Sequence, residues 1–396
     1  MSISHQMRTY MDQASWIRKM FEEGARLKQI YGADQVFDFS LGNPNVPPPP
    51  SVKEALLRII HNGPTSLHSY MPNAGLAQTR ERLAAYLARE HGTPLRADHV
   101  IMTCGAAGAL NVIFKALLDP GDEVVVPAPF FVEYGFYAEN HGGTLKTLPT
   151  GSDFSLDLNA MEAAVGLKTR VVLINSPNNP TGQIYGAEAL RELGDLLRRK
   201  SRAAGHPIFL VSDEPYRKIV YTAEKPPSIF QHYENALIAT SFSKDLSLPG
   251  ERIGYIAIHP QAEDQAALQG ALILANRILG FVNAPALMQW ILPDLLEESV
   301  DVSVYRAKRD KLLSGLKRAG YCCFEPPGAF YLFPQSPLQD DVAFVRLLVE
   351  EKILAVPGSG FGGPGYFRLA YCVDDPTIEG ALPGLARAMD KARSMR

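Results

Sequence analysis

The sequence has 396 residues, of which 46% are hydrophobic and 20% charged, with a formal net charge of −3 and a pI near 6.3. At roughly 100–200 residues per domain this is material for two or three domains with a core large enough to bury a ligand site. The weakly acidic balance excludes the basic field of a nucleic-acid binder, and no Lys/Arg run marks a membrane surface.

In chain order, the N-terminus MSISHQMRTYMDQ lacks the apolar core of a secretory signal, and four cysteines in so long a chain form no disulfide framework; both lead to the expectation of a reducing cytoplasm. The proline run 47–50 reads as an extended connector and a domain junction. Beyond it, short apolar runs recur: VIMTC at 100–104, EVVVP at 123–127, VVLINS at 171–176, IFLVSD at 208–213 and ALIATS at 236–241. Continuous Val/Ile/Leu strands separated by helical stretches predict a mostly parallel sheet covered on both faces. Between the strands, Leu190, Leu193, Leu196 and Leu197 recur at helical spacing, which predicts an amphipathic covering helix. The apolar stretch 270–282 is interrupted by Asn276 and Arg277 and is far shorter than the roughly 20 residues that span a bilayer. After about residue 285 the pattern changes to helices broken by FYLF at 330–333 and FRLAY at 367–371. The expected organisation is an α/β large domain over 48–285 and a smaller α+β domain built from 1–47 and 286–396. The adjacent Cys322 and Cys323 read as filler in a buried strand.

The chemistry-bearing residues fall at the C-terminal ends of these runs, where parallel α/β sheets bind ligands. Gly105, Ala106, Ala107 and Gly108 lead from a strand into a helix, whose free N–H groups suit a phosphate. Asn175, Asn178 and Asn179 sit in a turn after VVLIN. Asp213 ends a buried strand and needs a positive partner, which a protonated pyridine nitrogen would supply. Lys244 follows another buried strand, between Ser241 and Ser243 on one side and Arg252 on the other; hydroxyls and an arginine beside an amine suit phosphate binding next to a nucleophile.

Together these strand ends resemble the fold-type I enzymes that use pyridoxal 5′-phosphate (PLP), specifically the class I/II aminotransferases. The pattern SxSKxxxxxGxRxGY is present over 241–255, and the likeness extends along nearly the whole chain. The resemblance implies that Lys244 holds PLP covalently and acts as the base, with Asp213 on the pyridine nitrogen and Asn179 and Tyr216 on the phenolic oxygen. Gly105, Ala106, Ala107, Ser241, Ser243 and Arg252 would hold the phosphate. Phe131 would stack on the ring, with Phe130 as a competitor. Tyr70 would reach the phosphate of a neighbouring subunit, making a homodimer. Arg368 would grip the substrate α-carboxylate in a bidentate fork, for which a guanidinium is better shaped than lysine, and Gly42 would belong to a loop that closes over the substrate. The implied reaction is amino transfer between an L-amino acid and a 2-oxo acid, ping-pong through pyridoxamine phosphate. Some aspartate-specific relatives place a lysine at the position of Ala107; its replacement here tilts the expected donor toward neutral or aromatic amino acids, unless Arg277 or a partner's arginine substitutes.

Rival readings are a carbon–sulfur β-lyase using the same cofactor and a non-catalytic PLP-binding effector module. Gly358, Gly360 and Gly363 match G-x-G-x-x-G, but Pro364 and Gly365 follow where a dinucleotide site needs a helix. Ser241 and Lys244 fit S-x-x-K without the downstream parts of a serine acylase. The nine histidines show no metal-ligand spacing, so no metal is expected.

Overall fold

Strands that are apolar along their whole length are satisfied only between two covering layers. In the computed structural model, which describes residues 2–12 and 16–395, seven strands form one sheet. From edge to edge they are Val100–Thr103, Gly254–Ile258, Ala236–Ser241, Phe209–Asp213, Thr169–Asn175, Glu123–Ala128 and Thr144–Pro149. Neighbours pair parallel except at Gly254–Ile258, which runs antiparallel to both its partners. Successive side chains leave opposite faces. Val172 and Ile174 pack with Leu190, Leu193 and Leu197 of the helix Ala187–Ala204, and Val171 and Leu173 pack with Leu110, Ile113 and Phe114 of the helix Gly105–Leu117. Each such buried Leu or Ile contributes on the order of 1.5–3 kcal/mol.

The five strands expected from the sequence are present. Two more were not anticipated. Thr144–Pro149 is an edge strand of sequence TLKTLP with only Leu148 buried, so it carries no apolar run. Gly254–Ile258 follows Arg252 within the lysine motif and is buried throughout.

The second unit builds on a three-stranded antiparallel sheet in the order Val356–Pro357, Phe367–Ala370, Tyr331–Leu332, with helices Val302–Arg318, Asp341–Glu350 and Asp375–Ser394. The N-terminal arm joins it through the pairing of Phe37–Asp38 with Ile353–Leu354 and through Met20 and Phe39 in its core. Residues 1, 13–15 and 396 of the expected small domain lie outside the described residues. Met288, Ile291, Leu292 and Leu295 pack into the large unit's core, so that core continues past the expected boundary at 285.

The vicinal cysteines differ from expectation. Cys322 is exposed and Cys323 half-buried in a segment that belongs to no strand, and Pro326 and Pro327 soon after deprive the backbone of ladder donors. The glycine-rich segment forms a 3₁₀ turn over Gly358–Phe361, ended by Gly362 at φ 69°, and opens no α-helix there. No described helix is long and apolar enough to cross a membrane.

Candidate active site

The C-terminal strand ends open on a cavity of about 330 Å³ between the two units. Of the residues singled out from the sequence, Gly42, Ala106, Ala107, Phe131, Asn179, Asp213, Tyr216, Ser241, Ser243, Lys244, Arg252 and Arg368 line it. Gly105 does not, but it lies against one of them: a methyl group there would meet the Arg252 guanidinium at 3.1 Å. Tyr70 is 93% exposed and is not part of the wall.

Lys244 stands after the strand Ala236–Ser241 and donates from Nζ to the Gly42 carbonyl at 2.9 Å. Burial brings its pKa down to about 8, with Arg368 and Arg252 pushing the same way. Gly42 has no room for a side chain, since a Cβ would lie 2.1 Å from the Tyr331 hydroxyl.

Asp213 ends the neighbouring strand. Its Oδ2 accepts from the Tyr134 hydroxyl at 2.5 Å, whereas its Oδ1 is buried without a partner. Burial raises the carboxyl pKa to about 7, and Glu214 adds to the rise against the hydrogen bond from Tyr134. A buried anion with one open oxygen facing a cavity calls for a cation.

The backbone shapes the part of the cavity where a phosphate would sit. Arg252 adopts φ 52° in the left-handed region, and Gly254 brings its strand so close that a Cβ would lie 2.3 Å from the Thr240 carbonyl. Arg252 thereby sits at the N-terminus of the helix Gly105–Leu117, beside the buried hydroxyls of Ser241 and Ser243. A helix start, a guanidinium and two hydroxyls form an anion cradle.

The substrate side is a network of side chains. Arg368 is 2% exposed and donates from Nη1 to Asn179 Oδ1 at 3.0 Å and from Nη2 to the Ser40 carbonyl at 2.6 Å; its Nε is buried without a partner. Its guanidinium lies 4.7 Å from the Tyr331 ring centre and 4.6 Å from that of Phe361. Burial lowers the Arg368 pKa. Tyr216 and Tyr331 share a hydrogen bond of 2.7 Å between hydroxyls.

The arrangement accepts PLP. An open buried carboxylate oxygen meets the need of a protonated pyridine nitrogen, the cradle meets that of a phosphate, and the lysine amine stands in the same cavity. Of the two candidate aromatics, Phe131 lines the cavity, whereas Phe130 donates its N–H to the Phe361 carbonyl and packs against Gly362. Sequence reasoning missed Tyr134, Tyr331, Glu133 and Tyr137. Tyr134 lies three positions after Phe131 and the two rings meet edge-to-face at 5.5 Å, but no spacing in the sequence tied it to Asp213.

Comparison with known proteins gives a consistent result. The family model described as aminotransferase class I and II matches residues 34–385. The chain is 32% identical over 353 residues to a probable aspartate aminotransferase of Methanocaldococcus jannaschii, covering 87% of this chain and 91% of that protein. It is 33% identical to the aspartate/prephenate aminotransferase of Thermus thermophilus, covering 89% and 90%. Among solved structures, an aminotransferase from Eubacterium rectale superposes with a TM-score of 0.95 at 40% identity over 99% of both chains. The Thermus thermophilus aspartate aminotransferase with maleate gives 0.86 at 28% identity, over 98% of this chain and all of the other.

Proposed function

The chain belongs to the class I and II aminotransferases, PLP-dependent enzymes of fold type I, and from that premise we propose that it moves the amino group of a neutral or aromatic L-amino acid to a 2-oxo acid in two alternating half-reactions at this one cavity. PLP, bound there, supplies the electron sink for the negative charge that develops at the substrate Cα.

The chain's own residues do the rest. Arg368 holds the α-carboxylate, which satisfies its open Nε, and Asn179 fixes the guanidinium plane from Nη1. Lys244 Nζ, with a pKa near 8, carries a free amine in a useful fraction at neutral pH and takes the proton from Cα. Asp213, held from Oδ2 by the Tyr134 hydroxyl, would keep a bound pyridine nitrogen protonated through its unpartnered Oδ1. Arg252, Ser241, Ser243 and the first N–H groups of the helix Gly105–Leu117 would anchor the phosphate. Phe131 in the cavity wall would stack on the cofactor ring, and Tyr216, held by Tyr331, would hydrogen-bond its phenolic oxygen.

Two features support a neutral donor. Ala107 offers only a methyl group, and among the described residues the cations lining the cavity are Lys244, Arg252 and Arg368, each with a task already. The exposed Tyr70 supports a homodimer in which it completes the neighbouring site; an active enzyme with the mass of one chain on light scattering would end that part of the reading.

The observation that carries the reading is the open, buried Oδ1 of Asp213 in the same cavity as Lys244. With phenylalanine and 2-oxoglutarate the holoenzyme is expected to form glutamate, and Lys244→Ala to lose at least about 10³-fold in rate. An unchanged rate in that variant, or pyruvate from cystathionine without any added oxo acid, would overturn the reading.

A further inference from the structure

One charge in the cavity wall has no part in the chemistry above. Glu133, in the first turn of the helix Glu133–Glu139, lines the cavity together with Tyr137 one turn further on. It is half-buried and makes no hydrogen bond or ion pair with any described residue, and burial alone raises its carboxyl pKa. Asp213, Lys244, Arg252 and Arg368 are the other charged groups in the wall, and all four face the cofactor or the α-carboxylate in the reading above.

An acid placed early in a helix gains a little from the helix dipole, but that requires no position in a cavity wall. Ala107, Leu110 and Phe131, which also line the cavity, are apolar and carry no charge to neutralise an anion. A second carboxylate brought into this cavity is repelled by Glu133, and at an effective dielectric of about 20 like charges even roughly 12 Å apart cost about tenfold in binding.

We propose that Glu133 is a specificity-determining residue for the amino donor, whose carboxylate excludes substrates with an anionic side chain and leaves the site to uncharged ones. The proposal rests on the neutral-donor reading above and supplies its cause. The α-carboxylate common to all donors cancels, because each presents it to Arg368; only the side-chain charge differs.

The test is the ratio of kcat/KM for aspartate to that for phenylalanine, read in the first half-reaction of the holoenzyme from the absorbance of the bound cofactor. Glu133→Gln is expected to raise the ratio about tenfold, and Glu133→Asp, which keeps the charge, to leave it within about twofold. A loss of helix stability would slow both donors alike and leave the ratio unmoved. Glu133→Ser is measured in parallel, so that poor folding of one neutral variant leaves the other readable. A ratio within about twofold of wild type in the neutral variants, or an equal rise in Glu133→Asp, overturns the proposal. Wild-type enzyme that prefers aspartate to phenylalanine overturns the neutral-donor reading and the exclusion proposed here with it, whereas a phenylalanine-preferring wild type with an unmoved ratio in the neutral variants overturns the role of Glu133 alone.

Discussion

The two ends of the cavity are made differently. At the phosphate end the backbone does the shaping: Gly254 permits contact with Thr240, Gly105 lies under Arg252, and Arg252 itself turns through the left-handed region. At the substrate end the Arg368 side chain bonds to the Asn179 side chain and the Ser40 carbonyl, and the hydroxyls of Tyr216 and Tyr331 bond to each other, so the N-terminal arm, the large unit and the small one all contribute. The first end is set by the sheet, and the second exists only when both units and the arm are in place. A cofactor retained through every turnover suits the first kind of construction, and a substrate that enters and leaves suits the second.

Asp213→Asn tests the fixed end most severely. The amide keeps the shape and the partnership with Tyr134 but cannot stabilise a protonated pyridine nitrogen. The expected outcome is a fall in kcat of about 10²–10³-fold with PLP still bound through its phosphate, measured as single-turnover decay and bound-cofactor absorbance. Loss of PLP at unchanged kcat would assign Asp213 to binding alone. At the assembled end, Arg368→Lys retains the charge but forfeits the planar fork and the bond to Asn179. It is expected to lower kcat/KM by about 10–100-fold, mainly through KM, since each charge-assisted bond is worth about 1.5–3 kcal/mol. A fall confined to kcat would contradict a carboxylate-gripping role.

The same contrast governs what could be read from the sequence. Lys244, Arg252 and the glycines between and around them lie within fifteen residues of one strand end, so their spacing is a property of local chain geometry. Asp213 was legible because it terminates an apolar run whose burial makes a polar residue conspicuous, and Asn179 because it lies in the Asn/Pro turn four residues past the end of another. Tyr134 and Tyr331 were not. Each is one of sixteen tyrosines, and each acts on a residue far along the chain, 79 positions away for Tyr134 with Asp213 and 115 for Tyr331 with Tyr216. The choice between Phe130 and Phe131 likewise depended on a backbone bond from Phe130 to Phe361 across the two units. The strand Thr144–Pro149 escaped notice because an edge strand needs no apolar run, and the cysteine pair at 322 and 323 was misplaced because an apolar dipeptide says nothing about the prolines that follow.

The smallest expected effect is on the stability of the cofactor-free protein. Asp213 has its carboxyl pKa raised from 3.8 to about 7, chiefly by burial, so between those values the folded chain binds a proton that the unfolded chain has released. Stability from this group is therefore greatest below pH 4 and is lost as pH rises toward 7. Glu214 and Asp245 are shifted in the same direction by burial, so the informative quantity is the difference between wild type and Asp213→Asn. That difference in Tm should move in favour of the variant as pH rises from about 4 to 7, and PLP, by supplying the missing cation, should cancel the trend in the wild type. A flat difference across this window would mean that Oδ1 already has a partner in the empty protein, and the fixed end of the cavity would then be less dependent on its cofactor than its geometry implies.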